Sequence, residues 1–153
     1  MHAATVASTR ATTRRTECDS AIGVRRWVTR TLLPMLERQH GYKLLIEERD
    51  FPIGMVRYEA IFKAILNSQR TLFVLSRGFN TDSQRRNALQ QAYFMWDRKR
   101  TNKSIFICYD KRIVMDDGLT AEARALLKWG IKIGRHEKHF WKKLISKMPQ
   151  KPH

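Results

Sequence analysis

The stretch RTLFVLS, from Arg70 to Ser76, contains an unbroken apolar run of strand length. Such a run, bounded by polar residues, is typical of a strand that is buried on both faces. The stretch KSIFICYD, residues 103–110, repeats the pattern, and YKLLIEE (42–48) and WGIKI (129–133) predict two shorter strands. Strands of this kind belong to parallel sheets whose two faces are covered by helices.

The segments between these strands have helical periodicity. They are VRRWVTRTLLPMLERQHG (24–41), VRYEAIFKAILNSQ (56–69), SQRRNALQQAYFMWDRKR (83–100), LTAEARALLKW (119–129) and EKHFWKKLISKM (137–148). Pro34 predicts a kink or a lost hydrogen bond in the first helix, and Gly41 can end that helix. Helices that alternate with strands predict an α/β fold, and right-handed crossovers narrow the topology to a doubly wound parallel sheet.

Length and composition indicate a single soluble domain. The chain has 153 residues, which is long enough to bury a core. Hydrophobic residues make up 42% and charged residues 29%, as in soluble globular proteins. The sequence contains no apolar run of about 18 residues, so it predicts no membrane span. It also has no apolar segment after Met1 of the kind found in secretory signals. Cys18 and Cys108 lack metal-ligand spacing, so we expect no metal site and a reducing, cytoplasmic setting. Cys108, inside an apolar run, is expected to be buried.

The charge of the chain is strongly positive. Thirty Lys+Arg stand against fourteen Asp+Glu, a net charge of +16, which suggests an anionic partner such as nucleic acid or an acidic membrane face. The basic residues are scattered, with mild concentrations at Arg98–Arg100 and from Lys128 to Lys151. No Cys/His finger or aromatic ribonucleoprotein motif accompanies them. Solvated basic faces are therefore the favoured interpretation, and no specific nucleic-acid partner is predicted.

The stretch IEERDFPIGMV, residues 46–56, places four consecutive charged residues directly before a Phe-Pro-Ile-Gly turn. A connecting loop could use the Pro and the Gly for the turn alone. It would need neither the charge cluster nor the bulky Phe51 and Ile53. On local composition alone the stretch favours a connecting loop, and the alternative is an exposed interaction surface.

Three separated stretches, taken together, match a known family. They are LLPMLERQHGYKLLIEERDFPIG (32–54), AILNSQRTLFVLSRGF (64–79) and the Phe140-Trp141 pair inside HFWKKLISKMP (139–149). In this combination and spacing the chain resembles the Toll/interleukin receptor homology (TIR) domain, close to its Toll-like receptor branch. The resemblance runs from about Val24 to Pro149. It implies a flavodoxin-like fold with strand order 2-1-3-4-5.

The resemblance also implies a role for the loop after the second strand. In the TIR family this loop projects from the domain and joins one such domain to another. Its expected base here is Arg49 and Asp50, and its expected tip is Phe51, Pro52, Ile53 and Gly54. The implied function is an intracellular signalling module in Toll-like innate immunity, which acts by homotypic or heterotypic association with TIR domains of receptors or adaptors. A receptor tail, an adaptor and a decoy all remain open, and a membrane tether would lie in a separate receptor segment.

Two features of the sequence affect how far the family's binding role can be carried over to this chain. Many receptors have proline directly before the loop glycine, whereas here Ile53 precedes Gly54 and Pro52 stands one place earlier, so loop shape and partner choice can differ. Phe140 and Trp141 match the third of the short sequence motifs, or boxes, that mark the family. We expect them to hold the last helix on the core rather than to meet a partner.

Some members of the wider family cleave nicotinamide dinucleotides with a glutamate on the third helix. In SRGFNTDSQRRNALQQA, residues 76–92, the position of that glutamate falls on Ala88 or Leu89, neither of which can ionise. His136 and His139 lack a third ligand at useful spacing, and no phosphate-binding glycine loop is present. We therefore expect no enzyme activity, no cofactor and no metal. The alternative is an NAD-cleaving glycohydrolase.

The amino-terminal segment departs most from the family. The family's first strand should fall on RRTECDSA, residues 14–21, but four of these eight residues are charged and a central strand does not tolerate that. We therefore expect residues 1–20 to be disordered or non-native, 21–149 to form the TIR domain and 150–153 to be a tail. The first central strand is degenerate: either Ala3–Ser8 fills the central position weakly, or the chain begins with sequence foreign to the family.

Overall fold

The computed structural model describes residues 2–8, 23–50, 54, 57–75, 90–93, 104–110 and 121–149. Within these ranges one sheet has five strands in the order β2-β1-β3-β4-β5. The strands are β1 (His2–Ser8), β2 (Leu44–Ile46), β3 (Ser68–Leu75), β4 (Ser104–Cys108) and β5 (Ile131–Gly134). All four pairings are parallel, which confirms the predicted flavodoxin-like sheet.

Helical segments alternate with these strands. They are α1 (residues 23–39), α2 (Glu47–Asp50), α3 (Arg57–Leu66), α4 (residues 90–93, as far as it is described), α5 (Ala121–Trp129) and α6 (Phe140–Lys147). The alternation gives every described parallel pair of strands a crossover, as a doubly wound sheet requires.

One face of the sheet packs against α1 and α6. A row of residues in register crosses it from edge to edge: Ile46, Val6, Leu72, Ile105 and Ile131. From α1 the buried residues are Val24, Val28, Leu32, Leu33 and Leu36, and from α6 they are Phe140 and Leu144. These residues form one continuous apolar cluster, so the core on this face depends on the first and last helices together.

The opposite face has a smaller core. Phe73 and Phe106, neighbours in register on β3 and β4, stack with ring centroids 5.3 Å apart. Gly130 lies so close to this pair that a Cβ there would stand 2.5 Å from Phe106 Cε2 and 2.8 Å from the Leu126 carbonyl oxygen. The turn between α5 and β5 therefore requires glycine for close packing. The buried α3 residues are Ala60, Ile61, Ala64 and Ile65, as the helical pattern predicts.

Of the expectation that residues 1–20 form a disordered or non-native segment, disorder does not apply to residues 2–8, and whether the segment is native stays a prediction. This stretch is β1, paired with β2 and β3 in the centre of the sheet, and Ala4 and Val6 are buried. The central position is thus filled by the Ala3–Ser8 candidate and not by RRTECDSA. Small uncharged side chains suffice there because the backbone ladders on both sides supply the pairing. Residues 9–22 lie outside the described ranges.

Two element boundaries and the burial of one residue also differ from the sequence prediction. The second strand ends at Ile46, and Glu47–Asp50 forms one helical turn instead of extending the strand. The last helix begins at Phe140 rather than near Glu137, because His139 has a left-handed backbone with φ 66° that cannot continue a right-handed helix. Cys108 is half-buried rather than buried, and this partial burial raises the pKa of its thiol.

Pro34 has the predicted effect on α1. The helix carries two wide π-helical turns, Val28–Leu32 and Met35–Gln39, on either side of the proline. The Leu33 N–H reaches back to the Val28 carbonyl, one residue further than in an α-helix. Gly41, with φ 69°, ends the helix, and its N–H donates to the Glu37 carbonyl at 3.1 Å. Both the predicted disturbance and the predicted helix end are confirmed.

Candidate docking site

Arg49 is held by three different partners at the carboxyl end of β2. Its Nη2 donates to the Leu44 carbonyl oxygen at 3.0 Å, which attaches the side chain to the strand that precedes it. Its Nε donates to Asp50 Oδ1 at 3.0 Å. Its Nη1 lies 2.8 Å from Glu37 Oε1 on the last turn of α1. The guanidinium therefore links strand, helix and loop base through its fork of N–H groups.

The contact between Arg49 and Glu37 is an ion pair rather than an aligned hydrogen bond. Glu37 Oε1 is buried and accepts no well-directed hydrogen bond from any described residue, although Arg49 Nη1 is 2.8 Å away. The hydrogen bond to Asp50 and the nearby Glu37 carboxylate raise the pKa of Arg49, against partial desolvation, so the guanidinium stays charged. The attraction between Arg49 and Glu37 therefore links α2 to the end of α1.

Asp50 fixes the backbone of the same turn. Its Oδ2 accepts the Ile46 N–H at 2.8 Å, while its Oδ1 accepts from Arg49. The carboxylate thereby closes the turn Glu47–Asp50 onto the end of β2. A carboxylate that accepts hydrogen bonds from both the backbone and a guanidinium is a charge-assisted anchor. The chain beyond Asp50 consequently leaves the sheet from a fixed point.

Gly54 is the described residue of the predicted loop tip. It is exposed, has φ 88°, and a Cβ at this position would meet nothing within 4 Å. Glycine is therefore needed for the left-handed backbone and not for close packing. Phe51, Pro52 and Ile53 lie outside the described ranges.

Phe140 and Trp141, the predicted third box, lie at the start of α6. Phe140 is buried in the main core, and Trp141 is half-buried against it with ring centroids 4.9 Å apart. The Trp27 ring of α1 lies 6.0 Å from Phe140. These rings attach the last helix to the first, as we expected from the sequence.

Sequence reasoning did not find the partner of this aromatic group, Arg135. Its guanidinium carbon lies 4.0 Å from the Tyr109 ring centroid and 5.9 Å from that of Trp27. Its Nε donates to the Tyr109 carbonyl oxygen at 3.1 Å. Cation–π contacts of this kind hold the carboxyl ends of β4 and β5 together. No local sequence pattern predicts these contacts, because Trp27, Tyr109 and Arg135 come from three elements that are distant in sequence.

The two predicted regions do not form a common site among the described residues. The Arg49–Asp50 anchor follows β2, at one edge of the sheet, and α6 follows β5, at the other edge. Four strand intervals of about 4.8 Å separate these edges, roughly 19 Å in all. The Arg49–Asp50 anchor therefore lies at the β2 edge, whereas the aromatic cluster joins α6 to α1, and the end of α6 reaches back to Arg70 of β3.

No metal-binding group of three or more His, Cys, Asp or Glu side chains occurs among the described residues. In the same ranges no helix is long and apolar enough to cross a membrane. Ala88 and Leu89, which the sequence places where a catalytic glutamate would stand, lie outside these ranges.

Comparison with known proteins agrees with this fold. The TIR domain model matches residues 19–153. The chain belongs to the TIR domain family. The TIR domain of the Toll-related receptor TRR-2 from Hydra magnipapillata superimposes with a TM-score of 0.69 at 23% identity, covering 95% of this chain and 97% of that one.

Curated relatives are Toll receptors of animals. Toll-like receptor 3 of Boselaphus tragocamelus is 36% identical over 58 residues, which cover 38% of this chain and 6% of the receptor. Protein toll of Drosophila melanogaster is 29% identical over 123 residues, which cover 78% of this chain and 11% of that protein. The matched part of this TIR domain thus spans a small fraction of each of these relatives.

Proposed function

We propose that this TIR domain is a signalling interaction module that associates with other TIR domains through the loop after β2. The observation that carries the proposal is the anchoring of Arg49 to Glu37, the Leu44 carbonyl and Asp50 at 2.8–3.0 Å. The base of the loop is thus tied to β2 and to α1 at the point where the chain enters the loop. The segment that follows, Phe51 to Gly54, is apolar apart from its backbone.

An apolar sequence that follows a charged base suits protein association. A few apolar contacts supply most of the binding energy at an interface, while charges set orientation and the rate of encounter. The Toll receptor relatives support receptor or adaptor TIR domains as partners, in an intracellular pathway of innate immunity.

The test compares the loop tip with matched apolar positions elsewhere. Phe51→Ala and Ile53→Asp should each weaken association with a partner TIR domain by roughly 1–3 kcal/mol if the residue is a central contact. Phe62 and Leu66 on α3 are each 39% exposed, so Phe62→Ala and Leu66→Asp are the controls. Titration calorimetry or co-precipitation gives the affinity, and thermal melting verifies folding. Equal binding by the loop variants and the wild-type chain, with folding intact, would refute the proposal.

We infer further that the domain does not hydrolyse NAD. The alternative, a glycohydrolase, would need an ionisable residue where Ala88 or Leu89 stands. The purified chain, alone or clustered on beads, should leave NAD intact in a chromatographic assay. Turnover that persists through purification and disappears on a point substitution within the chain would establish the alternative.

A further inference from the structure

The exposed side of α6 carries a row of lysines. Lys142, Lys143 and Lys147 are exposed, and Lys138 and His139 are exposed in the turn directly before the helix. Lys143 and Lys147 are four residues apart, so they are neighbours on one helical face. We call the set Lys138, His139, Lys142, Lys143 and Lys147 the α6 basic surface.

The orientation of this surface is fixed by the core. Phe140 is 6% exposed and Leu144 is fully buried, so the opposite side of the short helix must face solvent. The carboxyl end is also tied down, because Arg70 Nε donates to the Lys147 carbonyl oxygen at 3.0 Å. The lysines therefore project from a rigid support that carries them on one side of the domain.

Acidic residues do little to neutralise this surface. Within residues 121–149 the sequence has eight Lys+Arg and two Glu. Glu137 is bound to Lys143, with Oε2 2.7 Å from Nζ. No other ion pair to the basic surface occurs among the described residues. The local excess of positive charge is thus part of the folded structure and not only of the overall composition.

The chemistry of the surface favours a flat anionic partner. Lysine ammonium groups act as compact point charges for phosphate and carboxylate, without the paired geometry by which arginine reads a single planar ligand. Sequence-specific or single-stranded nucleic-acid recognition would call for aromatic stacking or base contacts, and the described exposed aromatic residue is Phe62 on α3, not on α6.

We propose that the α6 basic surface docks on an anionic lipid bilayer. Clusters of four or more basic residues on one helical face bind acidic phospholipids electrostatically, and each lysine near the surface contributes to the attraction. A bilayer is flat, so it meets all the lysines of an eight-residue helix, about 12 Å long, at once. The proposal is independent of TIR–TIR association through the loop at the other edge of the sheet.

The test uses the full 153-residue chain and vesicles of phosphatidylcholine with and without phosphatidylserine. The wild-type chain should cosediment with the phosphatidylserine vesicles, and rising NaCl should release it. The triple variant Lys138→Gln, Lys142→Gln, Lys147→Gln should bind roughly 100-fold more weakly, from the attraction of three lysines near the membrane. Circular dichroism melting should show both proteins folded.

A charge-matched control separates the surface from net charge. Lys63 is exposed on α3, and Arg124 and Lys128 are exposed on α5, so Lys63→Gln, Arg124→Gln, Lys128→Gln removes the same number of charges from helices on the opposite face of the sheet. This control should retain vesicle binding to within a few-fold. Equal loss in both triple variants would overturn the proposal, as would absence of wild-type binding to anionic vesicles. Binding to RNA or duplex DNA that depends on α6, without vesicle binding, would assign the surface to nucleic acid and also overturn it.

Discussion

His139 is the described non-glycine residue with a positive φ, 66°, and it directly precedes α6. A left-handed backbone costs an L-residue with a Cβ roughly 1–2 kcal/mol, and glycine avoids that cost while losing more entropy on folding. We expect His139→Gly to raise the free energy of unfolding by roughly 0.5–1 kcal/mol in urea titrations. Lys138→Gly is the matched control and should lower it, because Lys138 lacks the left-handed backbone. Destabilisation by both variants would contradict this account.

At the same residue scale, Glu137 makes stability depend on pH. Its carboxylate accepts from Lys143 Nζ at 2.7 Å and from the Gly134 N–H at 3.2 Å, and these contacts hold its pKa below the ordinary 4.5. A lowered folded pKa stabilises the protein above the unfolded pKa, and this gain disappears as pH falls through the folded value. Glu137→Gln should therefore lower the free energy of unfolding at neutral pH by less than about 1 kcal/mol, and lower the Tm with it, since the pair is exposed.

The same variant supplies its own control. Below the folded pKa the wild-type carboxyl is protonated, so the Tm values of the two proteins should converge in acid. A Tm difference that stays constant from neutral to acidic pH would mean that the charge of Glu137 is not the cause.

The positions of Arg49 and Asp50 could be predicted from the sequence, but their long-range contacts could not. The charge cluster and the Gly/Pro turn predicted that Arg49 and Asp50 would begin a distinctive loop; the described structure shows both hydrogen-bonded at the end of β2, and their role in docking stays a prediction. The ion pair with Glu37 could not be predicted, because the two residues are twelve positions apart on different elements. No helical or strand period connects them. Only the packing of β2 beside the end of α1 brings their charges together.

At the scale of elements, β1 gives the sharpest prediction. Val6 is 4% exposed and lies in register with Ile46 on one side and Leu72 on the other. An unpaired carboxylate in this position has no solvent and no described cation beside it, so Val6→Asp should cost at least about 3 kcal/mol or prevent folding. Denaturant unfolding followed by circular dichroism measures the effect.

Gln69 on β3 is an exposed strand position and provides the matched substitution. Gln69→Asp should change stability by less than about 1 kcal/mol, because its carboxylate stays in water. Similar losses for both variants would show that Val6 is not in the centre of a buried sheet.

The elements differ in how clearly the sequence announces them. β3 and β4 were predictable because Leu72–Leu75 and Ile105–Ile107 are unbroken apolar runs, as burial on both faces demands. β1 was hard to predict because HAATVAS contains one large apolar residue, Val6. Its place follows from the need for a central strand rather than from its own composition. The early end of β2 and the late start of α6 depend on Asp50 and His139, whose effects are conformational and leave no hydrophobic pattern.

At the scale of the whole molecule, the net charge of +16 should oppose folding. Like charges repel more strongly in the compact state than in the extended chain, and added salt screens them over a Debye length of about 10 Å at 0.1 M. We expect the Tm to rise as NaCl increases from low to moderate concentration. The chloride salt is the right choice, since sulfate also stabilises proteins by exclusion from their surface. A flat or falling Tm would show that local ion pairs such as Arg49–Glu37 outweigh the general repulsion.

The central position of β1 also sets the timing of folding during synthesis. Ala4 pairs with Leu44 and Arg70, which follow it by 40 and 66 residues, so β1 leaves the ribosome before both of its neighbours and must wait for them. Contacts between residues so far apart in sequence slow folding. Closing the long loop between them costs conformational entropy before the strands gain any stabilisation from pairing. Until Ser68–Leu75 has emerged, His2–Ser8 has an unpaired edge on one side at least. The nascent chain is therefore expected to need protection from strand pairing with other chains during this interval.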